Sequence, residues 1–378
     1  VPSTPSTDNG RDPALDGLRG LAVAMVVLFH SAAIGGAPQW FKGGFLGVSL
    51  FFVLSGMLMA LVVLRSADGP DGRVAAGPYL ARRARRLLPA SLAVVVACTL
   101  LTRPSWSAWP GMQAGDAWAA ATAAMNWHVI DLGSAQLLRG LGPLGPYWSL
   151  AVEWQFYVLL LLVCVVPFGR LVSRLWALAA VAVVGGTLLQ LVGGGDGFVR
   201  EFGTDRRLVE LGIGIGLGLL LHRGTLRSVT PRSARLWGGG ALLVMLGLFA
   251  VADFDPPWLL HGGFGLVALV SAALVVTART PGPLRRVWSS SPLVTLGRDS
   301  YSLYLVHWPI GQLLARHTDV PPALFVVLAV GATVAIGGTL ARTVERPAQR
   351  LRWSTSTTLL AALAATLATG LIAELVIP

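Results

Sequence analysis

Apolar residues run along this chain in long blocks, separated by short stretches rich in Arg, Pro and Gly. A block of about 17–22 apolar residues is long enough to cross a bilayer as a helix rising 1.5 Å per residue. Such blocks fall at roughly 15–34, 44–64, 84–102, 147–168, 173–193, 206–222, 235–252, 259–279, 299–317, 322–341 and 357–377. The pattern predicts an all-α fold, a polytopic transmembrane helical bundle of eleven spans. An Ala-rich stretch at 115–127 carries Asp116 and Asn126 and reads as a short helix outside the membrane. Residues 1–14 read as a disordered polar tail, 15–341 as the membrane core, and 342–378 as a linker followed by the last span.

Composition supports this. Hydrophobic residues make up 54% of the chain and charged residues 12%, about half the usual share for a soluble domain. Basic residues number 29 against 18 acids, with Lys42 the one lysine. In a soluble protein that excess would suggest nucleic acid; here it reads as an orientation signal, and no nucleic-acid partner is expected. Arg65, Arg73, Arg170, Arg174, Arg223, Arg227, Arg279, Arg285, Arg342 and Arg346 fall in one set of alternate loops, whereas Lys42, Arg103, Arg139 and Arg200 fall in the other. The first set is expected to be cytoplasmic, with the N-terminus inside and the C-terminus outside. Cys98 and Cys164 sit in apolar runs and read as small core residues; no metal-ligand spacing is present. The run Gly212–Gly218 lacks the context of a phosphate loop and reads as a close helix contact.

Ionisable groups inside apolar spans are costly and point to chemistry. Arg19 and His30 lie eleven positions apart, so they share a helix face and differ in depth by about 16 Å. Arg19 is expected near the inner interface, with Asp16 at i, i+3 as a partner. Glu153 is expected to approach the depth of His30 from another helix, either as the carboxylate that orients a general base or as half of a structural ion pair. Arg82, Arg83, Arg85 and Arg86 crowd the start of the third span and suit either polyphosphate or anionic lipid headgroups. His307, with Ser300, Tyr301 and Tyr304, suits a polar cavity. Glu210 reads as a structural partner of Arg206 or Arg207, and His128 with Asp131 as a contact for a substrate from outside. Trp106, Trp109, Trp118 and Trp127 suit a sugar-facing surface or interface anchoring equally well.

Several motifs, in order, resemble acyltransferase family 3, the membrane O-acetyltransferases of O-antigens and other surface polysaccharides. They are DGLRGLAV with His30, GGFLGVSLFFVLSG at 43–56, YLARRARRLLPA, YWSLAVEWQFY, and the closing GRDSYSLYLVHWPI and TVERP. Ser49 stands where many members have Asp. The resemblance implies a ten-helix acyltransferase core in the bacterial inner membrane, plus the eleventh span. It implies transfer of an acyl group, usually acetyl, from cytoplasmic acetyl-CoA to a hydroxyl of a glycan or glycolipid acceptor outside. Arg19, Arg82, Arg83 and Arg86 would hold the CoA phosphates, and His30 and Glu153 would be catalytic. Trp148, Ser55, His307 and Tyr301 would line the substrate path, and no metal is implied. Some members carry an extracytoplasmic SGNH-type domain after the eleventh helix, which is expected here as a further part of the parent protein. A transporter or flippase of an anionic lipid-linked substrate is the alternative, although the paired broken helices expected of one are not evident. A lipid-binding scaffold without chemistry is a third.

Overall fold

The computed structural model describes residues 12–67, 74–102, 109, 111–138, 142–166, 169–195, 197–254 and 256–377. The tail over 1–11, Arg73, Arg103, Trp106 and Arg139 lie outside the described residues, as does Pro378. Among the described residues the regular structure is helical throughout. The helices are α1 (Pro13–Ile34), α2 (Gly47–Ala67), α3 (Ala76–Leu101), α4 (Ala114–Ala121), α5 (Met125–Leu138), α6 (Tyr147–Val165), α7 (Leu171–Val192) and α8 (Gly197–Phe202). There follow α9 (Thr204–His222), α10 (Pro231–Val251), α11 (Phe264–Arg279), α12 (Pro283–Trp288), α13 (Ser291–His317), α14 (Pro322–Leu340), α15 (Arg346–Gln349) and α16 (Thr355–Val376).

Among the described residues nine helical stretches are long and apolar enough to cross a membrane, which makes this a multi-pass membrane protein. Eleven spans were expected; α9 and α13 are the two that composition does not qualify. Both are helical, but α9 opens with Asp205, Arg206, Arg207 and Glu210, and α13 carries Arg298, Asp299 and His307. These polar groups are largely enclosed by other helices: Arg207, Glu210, Asp299 and His307 are buried. The expected single helix at 115–127 is instead two, α4 and α5, separated where Ala123 takes a positive φ of 58°.

The core is organised around α1 and α13, which touch backbone to backbone. A Cβ added at Gly20 would lie 2.1 Å from the Leu293 carbonyl oxygen, and one at Gly297 would lie 1.7 Å from that of Asp16. Only hydrogen side chains permit such an approach, which is how helices associate closely where lipid offers no hydrophobic drive. Helices α2 and α9 meet in the same way, with Gly56 against the Leu211 carbonyl and Gly214 against that of Val53. Gly212–Gly218 therefore serves helix packing, as expected from sequence.

Gly297→Val should lower the thermal unfolding midpoint in detergent by several degrees, because overpacking costs at least ~1–3 kcal/mol. Gly331→Val, whose added atoms meet open space, should leave it unchanged. Scanning fluorimetry of the two variants separates the effects.

Candidate active site

Three cavities follow one another between the Arg-rich end of the bundle and its opposite end, and neighbours share wall residues. The first, of about 220 Å³, is a mouth lined by Arg19, Arg65, Arg86, Arg279 and Arg298, with Asp12, Asp16 and Glu345 among them. Arg19 also lines the second, of about 50 Å³, together with Ser55, Ser149, Glu153, Tyr301 and Tyr304. Val48 and Tyr304 divide the second from the third, of about 60 Å³, which holds His30, Trp148, Glu201 and Trp308.

Helices α1 and α13 supply both ends of this series. Arg19 Nη2 donates to Ser300 Oγ at 3.1 Å, and the guanidinium lies 5.6 Å from the Phe51 ring centre. The expected partner of Arg19, Asp16, instead faces Arg298 at 3.6 Å, because α13 brings a second cation to that carboxylate. Eleven residues further along α1, His30 Nδ1 lies 2.9 Å from His307 Nε2. His307 Nδ1 lies 2.5 Å from the Tyr304 carbonyl oxygen. A carbonyl only accepts, so His307 Nδ1 carries its proton and, in the neutral ring, Nε2 accepts from His30 Nδ1. The same assignment leaves His30 Nε2 with an unprotonated lone pair.

The expected contact between Glu153 and His30 is replaced by this histidine pair. Glu153 Oε1 accepts from Ser55 Oγ at 2.6 Å and from the Tyr157 hydroxyl, so its carboxylate belongs to the middle cavity. Tyr304 forms the wall between the two; its hydroxyl meets Ser149 Oγ at 2.7 Å and the Pro146 carbonyl at 3.1 Å. Tyr301 donates to the Leu87 carbonyl at 2.7 Å.

The Arg residues of α3 are spread over different surroundings. Helix α3 starts at Ala76, so the run lies on helix, where successive side chains are turned by about 100°. Arg86 reaches the mouth, Arg82 is exposed, and Arg85 turns to α16. Arg83 is buried, 5.6 Å from the Tyr79 ring and 5.4 Å from that of Tyr157. The other cations of the mouth, Arg65, Arg279 and Arg298, were read from sequence as orientation signals or not singled out.

Beside the third cavity, Arg207 is sealed in the core. It pairs with Glu201 at 3.3 Å and Glu210 at 2.8 Å, and its guanidinium lies 3.8 Å from the Phe264 ring centre and 5.3 Å from that of Trp148. The cluster fixes Trp148 and holds Glu201 at the cavity wall. The Glu210 pair was expected; Glu201, Ser149 and Trp308 were not singled out, although Ser149 and Trp308 lie within two of the motifs that carry the resemblance. His128, expected to face a substrate, pairs with Asp116 at 2.8 Å instead.

A cationic mouth, a narrow middle cavity holding Glu153, and a histidine pair beyond it are groups suited to binding an anionic donor and moving a proton inside a membrane. The acyltransferase-domain family model matches residues 12–342, and the chain belongs to acyltransferase family 3. It is 32% identical over 311 residues to the O-acetyltransferase OatA of Staphylococcus aureus strain NCTC 8325 / PS 47, covering 79% of this chain and 50% of that protein. OatA of strain COL matches to the same extent. The chain spans about half the length of the curated relatives it matches. No solved structure matches it.

Arg207→Met should destabilise the protein by about 3–5 kcal/mol, because it leaves Glu201 and Glu210 buried without their cation. Glu201→Gln, which retains one counter-ion, should cost less. Denaturant unfolding of both in detergent checks the order.

Proposed function

We propose that the chain is a membrane O-acyltransferase that moves an acyl group, most simply acetyl, from cytoplasmic acyl-CoA to a hydroxyl of a glycan or glycolipid on the other side. The carrying observation is the series of cavities in which Arg19 is common to the first two and Tyr304 to the last two. In this reading α9 and α13 cross with the other nine helices, the Arg-rich end is cytoplasmic, and the C-terminus is outside. The identity of the OatA relatives as O-acetyltransferases supports the acetyl group.

The mouth binds the CoA phosphates through Arg86, Arg298 and Arg19, whose forked N–H donors suit phosphate oxygens. The pantetheine arm enters the middle cavity, and Glu153 accepts a hydrogen bond from an amide N–H of the arm. A cavity of about 50 Å³ holds only a few waters, too little for the arm, so the arm advances as Tyr304 and Phe52 swing aside. The ~16 Å between Arg19 and His30 matches the reach required of the arm. At the far end the acceptor hydroxyl gives its proton to His30 Nε2, and its oxygen attacks the thioester carbonyl. The C–S bond breaks, and the departing thiolate recovers the proton from His30. His307 accepts from His30 Nδ1 throughout and shares the imidazolium charge. This pair takes over the orienting role first expected of Glu153.

His30→Ala should abolish acetyl transfer from labelled acetyl-CoA while leaving CoA binding by calorimetry intact. Unchanged turnover in that variant would overturn the mechanism. His307→Ala should lower kcat by ~10²–10⁴, the usual contribution of acid–base assistance. Arg86→Gln with Arg298→Gln should chiefly raise KM for acetyl-CoA.

A further inference from the structure

The last helix, α16, is tied down at its two ends, with no buried residue between them. At its start Arg85 Nη1 donates to the Trp353 carbonyl at 3.2 Å and to Thr358 Oγ1 at 3.1 Å, and Thr358 is buried. Near its end Gly370 lies against the Trp118 ring, and Trp118 Nε1 donates to Glu374 Oε1 at 3.1 Å. Thr369, Gly370 and Ala373 are buried there, whereas none of residues 359–368 is.

The space left between α16 and α3 is a cavity of about 650 Å³, against about 220 Å³ for the Arg-lined mouth. Its walls are apolar, chiefly Leu88, Pro89, Leu92 and Val96 of α3 and Ala361 and Ala365 of α16. Pro89 lies inside α3, where it removes a backbone donor and favours divergence from a straight neighbour. Water filling this slot would find almost no polar partner, and an empty slot would forfeit the dispersion contacts of every wall atom. Hydrocarbon is the filling that costs neither.

The ends of the slot say which hydrocarbon. Its α3 wall runs from Ala84 to Val96, about 18 Å, close to the ~15 Å hydrocarbon thickness of one leaflet. At its Arg-rich end Arg85 lines the slot, with donors beyond Nη1; the exposed Arg82 lies one turn before it on α3, and the exposed Arg352 directly precedes Trp353 in the chain. Trp353 lines the slot at the same end, as an interfacial indole does. We infer that the slot between α3 and α16 holds one acyl chain of a glycerophospholipid whose anionic phosphate headgroup is bound by Arg82, Arg85 and Arg352. The lipid is a resident wedge that completes the packing of α16, and the inference is independent of the catalytic reading.

The test is native mass spectrometry of the full chain, transferred from nanodiscs of mixed phosphatidylglycerol and phosphatidylcholine into a delipidating detergent. The wild type should retain one phospholipid, with phosphatidylglycerol favoured roughly fivefold or more, since a basic side chain near the headgroup contributes about 1 kcal/mol. Ala362→Trp, which fills the slot with an indole, should lose it. Arg82→Gln with Arg85→Gln should retain a lipid but lose the headgroup preference. Equal lipid retention in wild type and Ala362→Trp, absence of any preference in wild type, or a dimer mass without lipid would overturn the inference. A second measurement leaves the slot intact. Chain-brominated phosphatidylglycerol should quench the emission that distinguishes wild type from Trp353→Phe, and no such quenching would overturn it equally.

Discussion

The backbone contact between α1 and α13 is the constraint from which the rest of the site follows. Gly20 and Gly297 let the two helices meet with carbonyl oxygens where a Cβ would otherwise be. At that spacing, side chains of ordinary length bridge the pair at two levels, Arg19 to Ser300 and His30 to His307. Neither bridge needs a loop to hold it. The helix register alone fixes the distance between the guanidinium and the imidazole pair, so that separation is as rigid as the bundle.

Within this frame the guanidinium groups have different tasks. Arg207 is enclosed by two carboxylates and aromatic faces, and it shapes the wall near His30. Arg83 is enclosed by Tyr79 and Tyr157 and leaves the mouth to Arg86. Arg279 and Arg285 are engaged by Asp12, which ties the start of α1 to the end of α11 and to α12. A net basic charge summed over the chain says little about this division, because it depends on which carboxylate or ring each cation meets.

The helical fold and most span positions were legible from the lengths of the apolar blocks, and family membership from motifs that recur in order. Two of the expected spans proved too polar to qualify by composition, because hydropathy records a residue and not the neighbour that satisfies it. Candidate residues were legible where a charge interrupts an apolar run, as at Arg19, His30, Glu153 and His307. Partnerships were not. His30 and His307 are separated by 277 positions, and nothing local to either announces the other. Arg82, Arg83 and Arg86 look like one cluster in a linear string, yet each meets different surroundings: Arg82 is exposed, Arg83 is enclosed by two rings, and Arg86 lines the mouth. Glu201 and Trp308 join the outer cavity only through the packing of α8 and α13.

The separation of α1 from α13 in the chain also bears on how the protein is made. Synthesis proceeds at ~5–20 residues per second, so α1 waits about 15–55 s in the membrane before His307 is built. For that interval Arg19 and His30 lack the α13 side chains that later meet them. The glycine faces of α1 are bare for as long. A nascent chain in this condition is a natural client for membrane chaperones, and its vulnerability ends only when the thirteenth helix slides into place beside the first.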